Sequence, residues 1–299
     1  MFKWISIIAA FSMALWPVGC FGYTYDSSFG SVGTGDGQFG GPVDLTLVAQ
    51  AGGQTLLYVL DSGNCNIQSF TLTGSFQSKW GSNGSNSGRF DSPMGITPTS
   101  GGFLWIADAN NGRIQNISIS GTFQSSITLG HDTVGVACTS AGVYSVCMSG
   151  CRIDKYDANG TFVKAFGSEG AGNGQFKNPQ DIAADSSGNI YVLDTGNNRI
   201  QRFDSEGAYV SQFGSKGTGD GQLEGPTGLY IDSSGNIWVA DSGNNRVQKF
   251  DSSGRYITKF GAQGSGKGQF DNPCAIVVDP SGNVYVCDGA NSRVQKWVP

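Results

Sequence analysis

The chain has 299 residues, of which 47 are glycine and only 14% are charged, a composition suited to turns and short strands rather than helices. Its net charge is -5 and no basic run stands out, which argues against nucleic acid or an anionic membrane surface as a partner. Length alone would allow two domains, but a closed all-β ring of this size commonly folds as one.

In chain order, the first residues differ in kind from the rest. Lys3 precedes a mainly apolar run from Trp4 to Trp16 that is too short to span a bilayer comfortably, so residues 1–22 read as an export signal cleaved after Gly22. Two alternatives remain open. Gly19-Cys20 resembles a lipid-attachment site, with Pro17 where leucine is usual, and the segment could also stay uncleaved as an anchor. The mature chain, 23–299, is accordingly expected to be secreted, with any membrane attachment confined to the N-terminal segment. Residues 23–30 then read as a single outer strand, because Tyr25 stands four before Phe29-Gly30 just as Tyr256 stands four before Phe260-Gly261.

From residue 35 one phrase recurs, in units near 35–81, 84–130, 131–168, 172–215, 219–262 and 266–299. The last three are near copies, with Asp194, Asp241 and Asp288 spaced by 47 residues, and a period of this length signals a repeat architecture. The fifth unit shows the pattern, since GLYID, IWVAD, RVQKF and YITKF alternate apolar and polar residues and are separated by turn residues at 234–236, 243–245 and 253–254. Each unit is a four-stranded antiparallel meander, and the glycine-rich loop after it returns the chain from an outer strand to the next inner one, as between propeller blades. The sixth unit stops at Trp297 after three strands, so residues 23–30 supply its fourth. The expected fold is all-β, a six-bladed β-propeller closed by its N-terminal strand, with no free sheet edge and hence a monomer.

Departures from the repeat mark the candidate sites. Unit three is short: Gly130 to Gly167 spans 37 residues where Gly167 to Gly214 spans 47. The lost loop should leave a notch beside His131, the sole histidine, and Asp132, which become candidate ligand-binding residues. Two residues after each blade-opening proline, alternation points a side chain away from the layer formed by Leu45, Ile96, Ile182, Leu229 and Ile276 and into the channel. Those positions hold Asp44, Gly95, Asp181, Gly228 and Ala275, with Gly135 the counterpart in unit three. Asp44 and Asp181, in opposite blades, are therefore candidate ligand-binding residues for a cationic group or for calcium in the channel. The pairs Asp108/Arg113, Asp194/Arg199, Asp241/Arg246 and Asp288/Arg293 flank a turn and read as turn-holding contacts. The Gly-x-Gly-Asp-Gly-Gln loops at 33–38 and 217–222 precede no helix, so they read as connectors rather than phosphate cradles. Cleavage after Gly22 would leave six of the seven cysteines, an even number that permits disulfides in an exported chain, with Cys274–Cys287 the first expectation and Cys147–Cys151 a second.

The phrases PTGLYIDSSGNIWVADSGNNRVQKFD and PQDIAADSSGNIYVLDTGNNRIQRFD resemble NHL repeats, strongly in units four to six and weakly in unit three. The resemblance implies a six-bladed propeller with a central channel, and a fold of this kind does not by itself fix a function. NHL-type lyases acting on hydroxyglycine peptides use several metal-binding histidines, and this sequence has one. In tripartite-motif ubiquitin ligases the repeats recruit substrate or RNA behind a Cys/His-rich zinc domain that does not precede the repeats here. No nucleophile stands with a base and an orienter, so no catalytic residue and no resident cofactor are assigned. The expected function is a secreted, non-enzymatic scaffold presenting loops and a channel to a protein, peptide or glycan. A metal-dependent lyase or hydrolase is the first alternative, and a recruiting propeller the second.

Overall fold

The computed structural model describes residues 22–99 and 101–299, and the export, lipid-attachment and anchor readings rest on residues outside these. Six four-stranded antiparallel sheets form the blades, with strands in sequence order from the inner to the outer edge in the first five and an earlier strand of the chain at the outer edge of the sixth. The inner strands are Pro42–Ala49, Pro93–Pro98, Val136–Thr139, Asp181–Ala184, Gly228–Ile231 and Pro273–Val278. Each packs against the inner strand of the next blade, and blade six packs against blade one. Among the described residues, helix is confined to three short 3-10 turns, Ala109–Asn111, Thr195–Asn197 and Ser242–Asn244, each at a turn between second and third strands.

The ring closes where the sequence predicts. Thr24–Phe29 pairs antiparallel with Arg293–Val298, setting Thr24 opposite Val298, Tyr25 opposite Trp297 and Phe29 opposite Val294. The first strand is thus the outer edge of the last blade.

The core is six radial layers, one between each pair of neighbouring blades. Leu57 and Phe70 of blade one meet Tyr285 and Val294 of blade six, and Trp238 and Val247 of blade five meet Ile276 and Val286 of blade six. Second strands lie between two such layers, so both of their faces are covered and Ile190–Asp194, Ile237–Asp241 and Val284–Asp288 are buried throughout. Period-two alternation in these strands therefore separates one neighbouring blade from the other, rather than core from water. The return loops plug the layers: Phe39, Phe90, Phe176, Leu223 and Phe270 are all fully buried. Gly81, at φ +92°, shows why glycine precedes this plug, since a Cβ there would lie 2.7 Å from the Phe90 ring.

The recurrent Asp–Arg pairs hold the return loops. Asp241, fully buried, accepts from Arg246 Nε at 2.7 Å, Gln248 Nε2 at 3.0 Å, Asn244 Nδ2 at 2.9 Å and the Glu224 amide at 2.8 Å. Arg246 Nη2 donates onward to the carbonyls of Gly219 and Gln222, so one carboxylate ties the turn, two strands and the incoming loop. The same ion pair recurs at 108/113, 194/199 and 288/293, as the spacing predicts.

Candidate functional site

In a four-stranded meander the return loops and the turns between second and third strands share one face of the ring, and there the inner strands begin. Their first residues enclose a cavity of about 170 Å³ at the channel mouth, walled by Val43, Met94, Val134, Gln180, Thr227 and Cys274, one from each blade, with Asp44 and Asp181 beneath. A second cavity, about 230 Å³, continues between the inner strands, and the same two aspartates line it. The two carboxyl groups therefore stand at the neck between mouth and channel.

Their neighbours explain why only these two blades carry a side chain that reaches across. Asp44 Oδ1 accepts the Leu45 amide at 2.8 Å and its Oδ2 accepts the Ile96 amide of blade two at 2.7 Å. Asp181 repeats this arrangement, accepting the Ile182 amide at 2.7 Å and the Leu229 amide of blade five at 2.7 Å. Each aspartate staples its own inner strand to the next. At Gly95 a Cβ would lie 2.9 Å from the Val134 carbonyl oxygen, and at Gly228 it would collide with the Cys274 carbonyl, so a side chain there would force the strands apart.

Asp44 and Asp181 are each partly exposed by area, but they face a channel walled by the six inner strands. Burial accordingly dominates their ionisation. It pushes Asp181 from 3.8 up to about 7, although the amides of Leu229 and Ile182 pull the other way. Asp44 is also raised well above the carboxylate range, first by burial and then by the negative charge of Asp181, against the pull of the Ile96 and Leu45 amides. Near neutral pH Asp181 is thus poised between its charged and neutral forms, beside an Asp44 whose ionisation is also disfavoured.

His131 and Asp132 lie apart from this neck, in the shortened connection into blade three. His131 Nε2 is 2.7 Å from Asp154 Oδ2, and its Nδ1 is 2.8 Å from the Asp132 carbonyl oxygen. Asp154 in turn accepts from Arg152 Nε at 2.8 Å, and Asp132 accepts from the Ser149 amide at 3.2 Å and from the Ser149 hydroxyl. Both ring nitrogens face acceptors, and the imidazole's pKa is raised, chiefly by the hydrogen bond to Asp154, against the opposing effect of burial. Blade three has exchanged chemistry between its strands: Cys147 stands where the other blades have aspartate, and Asp154 stands where they have Gln68, Gln115, Gln201, Gln248 and Gln295. His131 and Asp132 supply the polar partners that the missing loop would have brought.

The two expected disulfides are not formed, since all six described cysteines are free thiols. A bulge between Pro273 and Ala275 sets Ala275, not Cys274, opposite Cys287. Cys274 lines the mouth, where its Sγ lies 3.3 Å from the Pro42 carbonyl oxygen and 3.5 Å from the Cys287 carbonyl oxygen, so the two cysteines are neighbours without being bonded. Cys147 Sγ faces Asp132 at 3.9 Å, whereas Cys151 packs in the layer towards blade four. Alternation brought Asp44 and Asp181 to one cavity, but the wall of the mouth was not singled out in the sequence. Its signal was the residue directly after each blade-opening proline, as in Pro42-Val43 and Pro93-Met94.

Residues 176–203, 223–250 and 270–297, in blades four, five and six, match the NHL repeat model. No curated protein matches the chain. Among solved structures it is similar to virginiamycin B lyase from Staphylococcus aureus, at 16% identity and TM-score 0.60 over 87% of this chain and 95% of that one. It is also similar to an auxiliary nutrient binding protein from Bacteroides thetaiotaomicron VPI-5482, at 16% identity and TM-score 0.68 over 93% of this chain and 74% of that one. Hydrazine synthase from Kuenenia stuttgartiensis aligns at 12% identity and TM-score 0.61, over 86% of this chain and 95% of that one. An enzyme of one kind, a binding protein and an enzyme of another kind on the same scaffold establish a shared fold and nothing finer. The chain is a six-bladed β-propeller that carries NHL repeats in its last three blades.

Proposed function

We propose that this protein is a secreted, non-enzymatic binding module whose channel mouth takes one ammonium-bearing group of a larger peptide, protein or glycan ligand. The observation that carries this reading is the pair Asp44 and Asp181 at the floor of a mouth walled largely by apolar side chains. An aliphatic stem would lie against Val43, Met94 and Val134, while its ammonium would meet the carboxyl pair. A cavity of about 170 Å³ suits one side chain or one sugar substituent rather than a whole ligand, since an apolar cavity of about 150 Å³ holds benzene. The rest of such a ligand would lie on the face formed by the return loops. Binding a cation would also draw both carboxyls into their charged form, so affinity should rise with pH through the range in which Asp181 titrates, about 7. The sole histidine belongs to blade three and is not among the residues lining the neck, which leaves the channel without the imidazoles a histidine-based lyase would use. Residues 1–22, read as an export signal, support the secreted location.

The test is a calorimetric titration of the mature chain with butylammonium and with its neutral isostere 1-butanol, at pH 6 and pH 8, repeated on the folded Asp44→Asn/Asp181→Asn double variant. The expected result is weak binding of the cation alone, several-fold tighter at pH 8 and lost in the double variant. Equal binding of 1-butanol, or an unchanged affinity in the double variant, overturns the reading. A parallel titration with calcium chloride that raises the wild-type Tm while butylammonium leaves it unchanged would assign the pair to calcium instead.

A further inference from the structure

The exchange of residue types in blade three does more than replace hydrogen bonds. A ring nitrogen of His131, a carboxylate oxygen of Asp132 and the sulfur of Cys147 all lie within 4.8 Å of one another. Ligands of a tetrahedral zinc ion stand about 3.4–3.8 Å apart for bonds of about 2.0–2.3 Å, so side-chain adjustments of about 1 Å would complete the set. We propose that His131 Nδ1, a carboxylate oxygen of Asp132 and Cys147 Sγ bind one zinc ion, with the fourth position taken by water.

Two supporting contacts fit a metal site better than a mere replacement of the lost loop. His131 presents Nε2 to Asp154 at 2.7 Å, and Asp154 is itself fixed by Arg152, which keeps the proton on Nε2; Nδ1, 2.8 Å from the Asp132 carbonyl oxygen, becomes the ligand by releasing its proton and exchanging that contact for the ion. Asp132 is oriented by the amide and hydroxyl of Ser149 on the turn beyond Cys147. Both prospective ligands thus have outer partners on different elements. The thiol is the residue that simple hydrogen bonding does not explain. Cys147 is 1% exposed, occupies a position where the other five blades place an aspartate, and stands 3.9 Å from the Asp132 carboxylate, a distance at which a thiol makes at best a weak bond. An ion between sulfur and carboxylate would give the thiolate a partner while the carboxylate keeps its contacts to Ser149. Mixed nitrogen, oxygen and sulfur donors favour zinc over calcium or magnesium, which take oxygen ligands.

The test is titration of the mature, reduced chain with cobalt(II), a spectroscopic stand-in for zinc. One equivalent should produce a thiolate-to-cobalt charge-transfer absorption and the visible bands of a tetrahedral site, and zinc should abolish both. Cys147→Ser should remove the charge-transfer absorption, Asp132→Asn and His131→Gln should each weaken binding at least tenfold, and Cys151→Ser should leave the spectrum unchanged. Asp132→Asn guards against misfolding of the buried cysteine variant, and circular dichroism confirms the strand content of each. Failure of the wild type to give the absorption, its persistence in Cys147→Ser, or a Cys147–Cys151 disulfide found by peptide mapping of unreduced protein would each overturn the site.

Discussion

A carboxyl group that accepts an amide from the neighbouring blade can be neutral or charged and still hold the staple, but its free energy of folding differs between the two forms. Asp181 in the folded chain titrates near 7, far above an unperturbed aspartate near 3.9. Between these values the folded state holds a proton that the unfolded chain has released. Stability from this group is therefore fully present below about pH 4 and is lost as pH rises through about 7, and the raised Asp44 acts in the same direction. A thermal unfolding series should accordingly show a higher Tm at pH 5.5 than at pH 8, and the difference should shrink in the Asp44→Asn/Asp181→Asn variant; a flat series would contradict the strained ionisation. At one pH, Asp181→Asn alone should destabilise by about 1–3 kcal/mol, because the amide must turn a donor towards one of two backbone N–H groups. The channel-facing direction of these side chains was legible from period-two alternation. Their amide partners were not, because Ile96 lies 52 residues beyond Asp44 and only the ring brings them together.

Within a blade, the carboxylate at the end of the second strand acts as the knot of the element. Removing it in Asp241→Ala would leave Arg246 and Gln248 buried without their acceptor, and the loss of a buried partner of this kind costs about 3–5 kcal/mol. Chemical denaturation should report that loss, with the greatest gain in amide exchange across the return loop at 216–223; a loss below 1 kcal/mol would show the loop to be held by Leu223 alone. The aspartate–arginine spacing announced this contact, because residues five apart flank a tight turn. The continuation to the Gly219 and Gln222 carbonyls, 27 and 24 residues upstream, was hidden because the return loop has no periodicity to align. Blade three was legible in part for a related reason. The shortened connection pointed to His131 and Asp132, whereas Cys147 and Asp154 were marked only by the count of seven between them, the same interval as from Asp241 to Gln248.

For the whole molecule, closure was the feature most fully written in the sequence, since a blade one strand short at one end and a stray strand at the other can be joined in one way. Tyr23 packs edge-on against Trp238, Tyr25 against Trp297, and Phe29 against Phe70 of blade one, so the first strand also contacts the blades on either side of the seam. Deleting residues 23–30 should lower stability by about 3–6 kcal/mol, given about 1.5–3 kcal/mol for each large apolar side chain fully removed from water and the partial exposure of these three. The deletion should also expose the edge of Arg293–Val298, so sedimentation should reveal self-association; a monomer as stable as the intact chain would refute the seam. The six-layered core, in contrast, was legible only in part, because alternation identifies two faces of each strand without saying that both are covered. The seam also sets the order of events in synthesis. Thr24 and Val298 meet across 274 residues, so Thr24–Phe29 finds its partner only once Arg293–Val298 has emerged. Until then blade one has no neighbour for the face that packs on blade six, and the nascent chain carries an open apolar layer at each end. Closure of the ring thus waits for its last blade, and both open layers are exposed to aggregation until that blade is in place.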